Sequence, residues 1–508
     1  MSVRIVSTPV VGSSLAQLGT SGAETPWFVR APQNAEEWNE RANLIRGALL
    51  HADWLPALLP AFGSGSAGER LQRAAASGFI VTAGQQPGLF GGPLYTWWKA
   101  LSALALADAL QDRTGLPVAP VFWAATDDSD FAESSSTIVA TPAGAERIQM
   151  LEPPGIGVAL AQLPLGDLSR ELSRLETAAG SASSSEILSL ARKAYSPTHT
   201  VGGAYIELLR SILEPLGISI LDAAHPAVRR AAHPLLKQSL EQSERIEAAL
   251  IERTRSLAAQ GHSSQVRDVQ GRTLAFSERN GKRDRVRISE AARTAAAAEP
   301  GTLGPNVLLR PIVERSIMPT VAYVGGPAEI AYFAQVTAVA GAMDVPAPLV
   351  VPRWSGFAIE PRVDRILGRY GFDVEDFRDP HAVETGLAKS SLPAELVERI
   401  AALRASLERS TAELAAAKGA DLVPPSVLQG LTRNVSHRVE RLERRFAAGV
   451  KRRGNEALRD AAIARGSLFP LGVPQERALN IVPLLARYGD DLLSPVMAEI
   501  RAHAAKIA

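Results

Sequence analysis

Short apolar runs in the first 350 residues predict the strands of one parallel sheet. Strands that are buried on both faces appear as continuous apolar runs, and helical segments alternate with these runs along the chain. Such an alternation favours an α/β fold, an open parallel sheet with helices on both faces. The predicted strands cover residues 79–81, 117–125, 218–221, 321–324 and 349–351.

Each predicted strand is followed by a polar or glycine-rich segment. These segments are residues 84–86, 127–130, 222, 325–329 and 353–355. In open parallel sheets, ligands bind beyond the carboxyl ends of the strands. The five segments are therefore predicted to form the rim of one cleft.

The first of these segments belongs to a glycine-rich loop between a strand and a helix. Four glycines occur within residues 84–92, and Gly92 and Pro93 suit the start of a helix. A glycine loop at a helix N-terminus is a site for an anionic group. Neither the dinucleotide-binding fingerprint nor the Walker spacing is present, so a plain strand-to-helix turn is the alternative.

The remaining pattern predicts two insertions and a helical hairpin. Residues 138–200 and 260–300 are predicted insertions, the second with a hairpin turn at Asn280-Gly281. In 391–460, apolar residues recur at steps of three, four and seven, which indicates an antiparallel coiled-coil hairpin that forms a homodimer. The basic residues of its second helix favour a solvated face, with an anion or RNA contact as the alternative. The predicted domains are 1–385 (core), 386–460 (hairpin) and 461–508 (packing back on the core).

Composition narrows the class of protein. A chain of 508 residues is too long for one simple core. The formal net charge of +1 gives no reason to expect nucleic acid or an anionic membrane as a partner. The absence of cysteine excludes disulfides, thiolate metal sites and a cysteine nucleophile. With no signal-peptide pattern and no transmembrane segment, we expect a cytoplasmic protein.

Several motifs together resemble one family, the bacillithiol biosynthesis cysteine-adding enzymes (BshC family). The glycine loop 84–96 is very similar to the loop of that family. Residues 120–123 with Asp128, Asp130 and Phe131 resemble its next motif. The other matching segments are 305–311, 319–335, 352–355 and 469–477. They cover nearly the whole chain in the right order.

The resemblance implies a Rossmann-type core related to class I nucleotidyltransferases, with connecting-peptide insertions and a dimerising coiled coil. It implies a ligase that joins L-cysteine to glucosaminyl-malate through an amide bond, the last step of bacillithiol biosynthesis. The cysteine carboxylate would be activated, by ATP or another nucleotide, and Mg²⁺ could accompany the nucleotide at residues 127–130. No separate metal site is expected.

The resemblance also selects candidate site residues. Asp128, Asp130 and Glu329 are the candidate catalytic carboxylates, which would bind the cysteine ammonium or deprotonate the incoming amine. Helix capping, or charge balance for Arg310, is the alternative role for each. The expected substrate- or nucleotide-binding residues are Gln85, Gly88, Gly92, Tyr95, Thr96, Lys99, Asn306, Arg310, Tyr323, Gly325, Gly326, Gln335, Arg353 and Ser355. For Asn306 and Gln335 a buried structural amide is the alternative, and for Lys99 a solvent-facing position.

Two positions depart from the family pattern. The family usually carries histidines where this chain has Trp98 and Ser129. Losing both imidazoles removes two candidate proton-transfer or phosphate-binding groups. Three readings stay open: a ligase that does not need them, a diverged ligase with another amine or amino acid substrate, and a non-catalytic nucleotide-binding dimeric scaffold.

Overall fold

The computed structural model describes residues 3–9, 11–63, 68–142, 144–153, 157–182, 185–267, 270–279, 282–379, 382–390, 392–452 and 456–508. Its strands are β1 (Arg4–Ser7), β2 (Phe79–Gln85), β3 (Val118–Ala124), β4 (Ser136–Thr141), β5 (Gly144–Gln149), β6 (Ser219–Asp222), β7 (Arg272–Arg279), β8 (Lys282–Arg287), β9 (Leu303–Pro305), β10 (Thr320–Gly325), β11 (Val350–Pro352) and β12 (Gly356–Ile359).

Helices make up most of the remaining described chain. They are α1 (Ser14–Thr20), α2 (Ala35–Gly47), α3 (Trp54–Leu58), α4 (Gly68–Ser77), α5 (Leu94–Thr114), α6 (Phe131–Ser134), α7 (Ser169–Ala179), α8 (Glu186–Ala194), α9 (Val201–Leu213), α10 (Pro226–Glu241), α11 (Ser243–Ala259), α12 (Ile288–Ala297), α13 (Arg310–Ile317), α14 (Pro327–Ala342), α15 (Pro361–Tyr370), α16 (Ala382–Ser390), α17 (Ala394–Ala416), α18 (Pro425–Arg452), α19 (Glu456–Leu468), α20 (Gln475–Ala478), α21 (Val482–Tyr488) and α22 (Asp490–Ala504).

The central sheet has five parallel strands in the order β11-β10-β2-β3-β6. All five correspond to the predicted apolar runs, so the predicted α/β class with a parallel core is confirmed. Strands β2, β3 and β10 are buried almost throughout, which explains why their sequences show no polar alternation.

The register aligns the carboxyl ends of these strands. Gln85 at the end of β2 pairs with Ala124 of β3, and Ala124 pairs with Asp222 of β6. On the other side, Gly325 of β10 pairs with Pro352 of β11. The segments that follow the strands therefore emerge at one edge of the sheet, as the sequence predicts.

The second predicted insertion contains a β-hairpin. Strand β7 pairs antiparallel with β8 and also with β9, which makes a three-stranded sheet. The predicted hairpin is confirmed over these strands, whereas its turn at 280–281 lies outside the described residues. A further antiparallel pair joins β1 to β12.

The chain divides into two compact units. The first comprises the described residues of Met1–Val139, Arg147–Ile359 and Glu476–Ala508, and the second those of Ala140–Glu146 and Glu360–Gln475. The second unit therefore begins earlier than the sequence-based boundary at 385, and residues 461–475 belong to it. Within the second unit α17 packs along α18, where Arg404 contacts Glu443 at 2.6 Å. No helix in the described ranges is long and apolar enough to cross a membrane.

Candidate active site

A cleft of about 570 Å³ opens in the first unit at the carboxyl edge of the parallel sheet. Its volume is within the range typical of small-molecule sites. Ten of the predicted site residues line it: Gln85, Tyr95, Lys99, Asp128, Asn306, Arg310, Gly326, Glu329, Gln335 and Arg353. Seven do not: Gly88, Gly92, Thr96, Asp130, Tyr323, Gly325 and Ser355.

A buried ion pair lies at the centre of the cleft wall. Lys99 Nζ is 2.5 Å from Glu329 Oε2, and their side chains are 3% and 17% exposed. Lys99 also donates to the Gly84 carbonyl at 3.0 Å and to Gln85 Oε1 at 2.8 Å. The pair joins helix α5, which follows β2, to helix α14, which follows β10. Lys99 is thus at the site and not on a solvent-facing surface.

Glu329 is held in its charged form by its neighbours. Its carboxylate accepts hydrogen bonds from the Tyr323 hydroxyl at 2.5 Å and from the Gly326 backbone N–H at 2.8 Å. Burial works to raise the pKa of Glu329, but the Lys99 charge and these hydrogen bonds outweigh it, so the pKa lies below its ordinary value. A carboxylate of lowered pKa is a weaker base and is suited to binding a cation.

Arg310 forms a second charged group beside this pair. Its guanidinium donates to the hydroxyls of Tyr323 and Tyr332, both at 3.2 Å, and to Glu314 Oε2 at 3.1 Å. Glu314 is fully buried behind the cleft and also accepts a hydrogen bond from Thr82. Burial raises the pKa of Glu314 to about 7, against the opposing charge of Arg310.

Tyr95 lies between two cations. Its ring centre is 5.7 Å from Lys99 Nζ and 5.8 Å from the Arg353 guanidinium carbon. Its hydroxyl accepts a hydrogen bond from Gln85 at 3.2 Å. Burial raises the pKa of Tyr95 to about 12, so the phenol stays protonated and available as a donor.

Arg353 and Ser355 are fixed by a residue of the C-terminal segment. Arg353 makes two bonds to the Glu476 carboxylate, at 2.8 and 2.6 Å, and one to the Ser355 hydroxyl at 3.0 Å. Bidentate pairs of this kind are strong and directional. Both side chains are therefore held inside the fold by these contacts.

The two predicted amide side chains hold backbone in place. Asn306 Oδ1 accepts from the N–H groups of Leu308 and Leu309 at the start of α13. Gln335 bonds both the N–H and the C=O of Val266, each at 2.9 Å. Both line the cleft, yet the contacts are those of the structural alternative.

The acidic segment after β3 is largely a turn. Asp128 Oδ1 accepts from the N–H groups of Ser129 and Asp130, and Asp130 caps α6 by accepting from Glu133 N–H. Asp130 is exposed and outside the cleft, so the structure gives it the capping role. Asp128 faces the cleft. No group of three or more metal-binding side chains occurs in the ranges that the structure describes.

The glycine loop is closed by other parts of the protein. Asn480 Nδ2 donates to the carbonyls of Leu89, Phe90 and Gly92, at 3.2, 2.9 and 3.3 Å. The Tyr195 hydroxyl accepts from Gly91 N–H and donates to the Gly88 carbonyl.

The start of α5 is closed in the same way. The N–H of Leu94 donates to the Leu479 carbonyl at 2.9 Å, and the N–H of Thr96 donates to that of Pro93 at 3.0 Å. These are two of the N–H groups that would hold an anion at a helix N-terminus. The structure thus favours the plain strand-to-helix turn for this loop.

The loop glycines have steric reasons of their own. Gly91 and Gly92 adopt φ of +86° and +74°, a region that favours glycine, and a Cβ on Gly88 would lie 2.6 Å from Gly92 Cα. At Gly325 a Cβ would approach Val350 to 3.0 Å. The predicted glycines Gly88, Gly92 and Gly325 thus shape the backbone beside the site without lining the cleft.

The two positions that depart from the family differ in location. Trp98 is fully buried, packs edge-on against Trp354 at 5.5 Å and does not line the cleft. Ser129 does line it. Only the second departure therefore changes the surface that a ligand meets.

Sequence reasoning missed five arginines of the cleft: Arg267, Arg272, Arg283, Arg285 and Arg477. In all, eight basic and three acidic side chains line the cleft. Arg283 Nη2 is 3.7 Å from Asp127 Oδ2, and Arg283 Nε is 3.9 Å from Glu278 Oε1. The other four arginines have no acidic partner among the described residues. For four of them the sequence signal was the density of arginine in the insertion 260–300, and Arg477 lies in the matching segment 469–477.

The fold and cleft define a Rossmann-type α/β protein with a cationic site at its strand ends. The family model described as "Bacillithiol biosynthesis BshC, N-terminal Rossmann-like domain" matches residues 27–354, and the one described as "C-terminal coiled-coil domain" of the same protein matches 358–507. The chain therefore belongs to the BshC family of bacillithiol biosynthesis, and the coiled-coil prediction is confirmed.

Curated relatives carry the name "Putative cysteine ligase BshC". The protein of Solibacter usitatus is 35% identical over 441 residues, which are 83% of this chain and 82% of the relative. That of Koribacter versatilis is 32% identical over 450 residues, 84% and 82% of the two chains. That of Symbiobacterium thermophilum is 30% identical over 458 residues, 82% and 81%.

Proposed function

We propose that this protein is a ligase that joins L-cysteine to the amine of glucosaminyl-malate, forming the amide bond of bacillithiol. The observation that carries the proposal is the Lys99–Glu329 pair in a cationic cleft at the strand ends, in a chain of the BshC family. A zwitterionic amino acid and a substrate with carboxylates both suit a cleft in which eight basic side chains outnumber three acidic ones.

Each charged side chain of the cleft has a separate role in this proposal. Glu329, kept ionised by Lys99, binds the ammonium of cysteine, while Lys99 and Arg310 attract its carboxylate. The neutral Tyr95 hydroxyl is a hydrogen-bond donor for an oxygen that gains charge as the amine attacks. Asp128 has one carboxylate oxygen free of the turn contacts and is the candidate base for the amine proton.

Amide formation needs an activated cysteine carboxylate, and a nucleotide would supply the leaving group. The glycine loop is a poor fit for its phosphates, because the N–H groups of Gly91, Gly92 and Leu94 already donate to Tyr195, Leu89 and Leu479. The side chains that fit are the four arginines without acidic partners, of which Arg477 lies close enough to act on the pKa of Tyr95.

The test is turnover of purified protein with L-cysteine and glucosaminyl-malate, with ATP and without it, followed by mass spectrometry of the amide. We expect product with the nucleotide and about 10²-fold less with Glu329→Gln. Glu207→Gln is the matched control, because Glu207 is a partly exposed glutamate that pairs with Lys193 and does not line the cleft. Cells that lack the protein but keep normal bacillithiol would contradict the proposal.

A diverged ligase is the second candidate, because Ser129 faces the cleft where the family usually carries a histidine. It predicts that another amine or amino acid in a substrate panel is turned over faster than glucosaminyl-malate and cysteine. Any turnover that Glu329→Gln abolishes would exclude the third reading, a non-catalytic scaffold.

We also propose that the protein is a homodimer through its coiled coil. Leu403, Leu414, Leu431, Leu442 and Phe446 of α17 and α18 are exposed large apolar side chains. Apolar stripes of this kind pack against a partner helix. A monomeric mass in light scattering over a wide concentration range would refute this.

A further inference from the structure

One wall of the cleft carries cations that no described acidic group balances. Arg272 and Arg285 belong to the β7–β8 hairpin, and Arg267 precedes it along the chain. We call these three residues the arginine wall. Arg272 Nη1 donates to the backbone carbonyl of Arg285 at 3.0 Å, so two of the three guanidinium-bearing residues are in direct contact.

The arginine wall is built on fixed structure. Phe276 supports it, because the guanidinium carbons of Arg283 and Arg285 lie 4.7 and 5.3 Å from its ring centre. Arg283 in turn donates to the carbonyls of Asp127 and Pro305, at 2.5 and 3.1 Å, which fastens the hairpin to the end of β3 and to β9. These contacts organise the wall in advance, which lowers the entropic cost of binding.

The backbone next to Arg267 is anchored as well. Gln335 on helix α14 bonds both backbone groups of Val266. Helix α14 also carries Glu329, so the backbone beside Arg267 and the Lys99–Glu329 pair are attached to the same helix. A single ligand, or two ligands that react, can therefore be placed between them in a reproducible way.

Like charges that converge without a counter-ion repel one another, and a solvated surface would let them spread apart. Here Arg272 and Arg285 are held by the stacked ring and the backbone bond.

We propose that the arginine wall is a binding subsite for a dianionic group, carried by the amine substrate or by the nucleotide, and that it is separate from the Lys99–Glu329 pair that takes the amino acid. Planar guanidinium groups match carboxylate and phosphate oxygens in two-bond geometry. Two sources of a dianion share this chemistry: the two carboxylates of the amine substrate and the phosphates of a nucleotide. This inference rests on the proposed function for the identities of the amine substrate and the nucleotide.

The test is equilibrium binding by titration calorimetry with L-malate and with pyrophosphate, without turnover. Arg272→Ala and Arg285→Ala are each expected to weaken binding about tenfold, since each removes a charge-assisted contact. Arg285→Lys should recover only part of the loss. Arg287→Ala is the matched control, because Arg287 is on the same hairpin but does not line the cleft. Thermal unfolding of each variant verifies that it is folded.

The outcomes separate the sources. If only the affinity for L-malate falls, the subsite binds the carboxylates of the amine substrate. If only the affinity for pyrophosphate falls, it binds the phosphates of the nucleotide. Either result supports the subsite. Unchanged affinities in both alanine variants, or no binding to the parent protein, would overturn it. If the alanine variants weaken binding but the protein makes no amide product, the subsite is supported and the ligase proposal is refuted. If the protein makes product but the variants leave the affinities unchanged, the ligase proposal is supported and the subsite is refuted.

Discussion

The Lys99–Glu329 pair allows a prediction whose size follows from burial. Lys99→Met removes the cation while keeping an unbranched apolar side chain of similar length. It leaves the Glu329 carboxylate, which is 17% exposed, with donors only from Tyr323 and Gly326. Breaking a buried pair costs about 3–5 kcal/mol. Because two donors remain, we expect a loss near the lower end, about 3 kcal/mol of unfolding free energy.

A double-mutant cycle isolates the pair itself. Urea unfolding of Lys99→Met, Glu329→Gln and the double variant should give a coupling of about 2 kcal/mol or more. The control cycle uses Lys193 and Glu207, which are 3.2 Å apart with side chains 73% and 35% exposed. Exposed pairs contribute only about 0.2–1 kcal/mol. Equal coupling energies in the two cycles would refute the reasoning that burial makes the central pair different.

Three further predictions concern the surroundings of the site. Burial raises the pKa of Glu314 to about 7 in the folded protein. Between about pH 4 and 7 the folded state therefore binds more protons than the unfolded state, and the free energy of unfolding falls as the pH rises through this range. Glu314→Gln should remove about 3 kcal/mol of this pH dependence in urea unfolding at pH 5 and 8, and an unchanged pH dependence would contradict it. Asn480→Ala leaves three loop carbonyls without their shared donor. It should lower the free energy of unfolding by about 2–4 kcal/mol and speed amide hydrogen exchange in residues 88–92. Asn39→Ala is the control and should do neither, because the Asn39 side-chain oxygen has no hydrogen-bond partner. Trp98→His should lower the free energy of unfolding by about 2–4 kcal/mol without raising turnover, because the Trp98 side chain packs on Trp354 outside the cleft. A higher turnover rate would show that a side chain at this position takes part in the reaction.

The sheet and its functional edge could be predicted because their signals are local. Buried strands are apolar without interruption, and the residue that follows each strand is fixed by the sequence itself. The pattern also brought Lys99 and Glu329 to one edge, since each lies on a helix that follows a strand of the same sheet. What it could not show was that the two form an ion pair.

The arginine wall and the closed glycine loop lay beyond sequence reasoning. A hairpin rich in arginine looks like a solvated insertion, and only tertiary packing decides which of its faces meets the cleft. Likewise, nothing in residues 84–96 shows that their backbone groups are already bonded. Asn480 is 391 residues from Leu89, and no spacing rule connects them. Arg310 and Glu314, four residues apart on one helix, did carry a readable signal for an ion pair.

The long sequence separation between Asn480 and the loop that it contacts has a consequence for folding during synthesis. At about 5–20 residues per second, a ribosome needs roughly 20–80 s to make the 391 residues that separate Leu89 from Asn480. Through that interval the loop after β2 lacks its donor, although β2 and β3 are already made. The wall of the cleft is therefore completed late, and a nascent chain that has not reached Asn480 exposes three carbonyls that the finished protein hides.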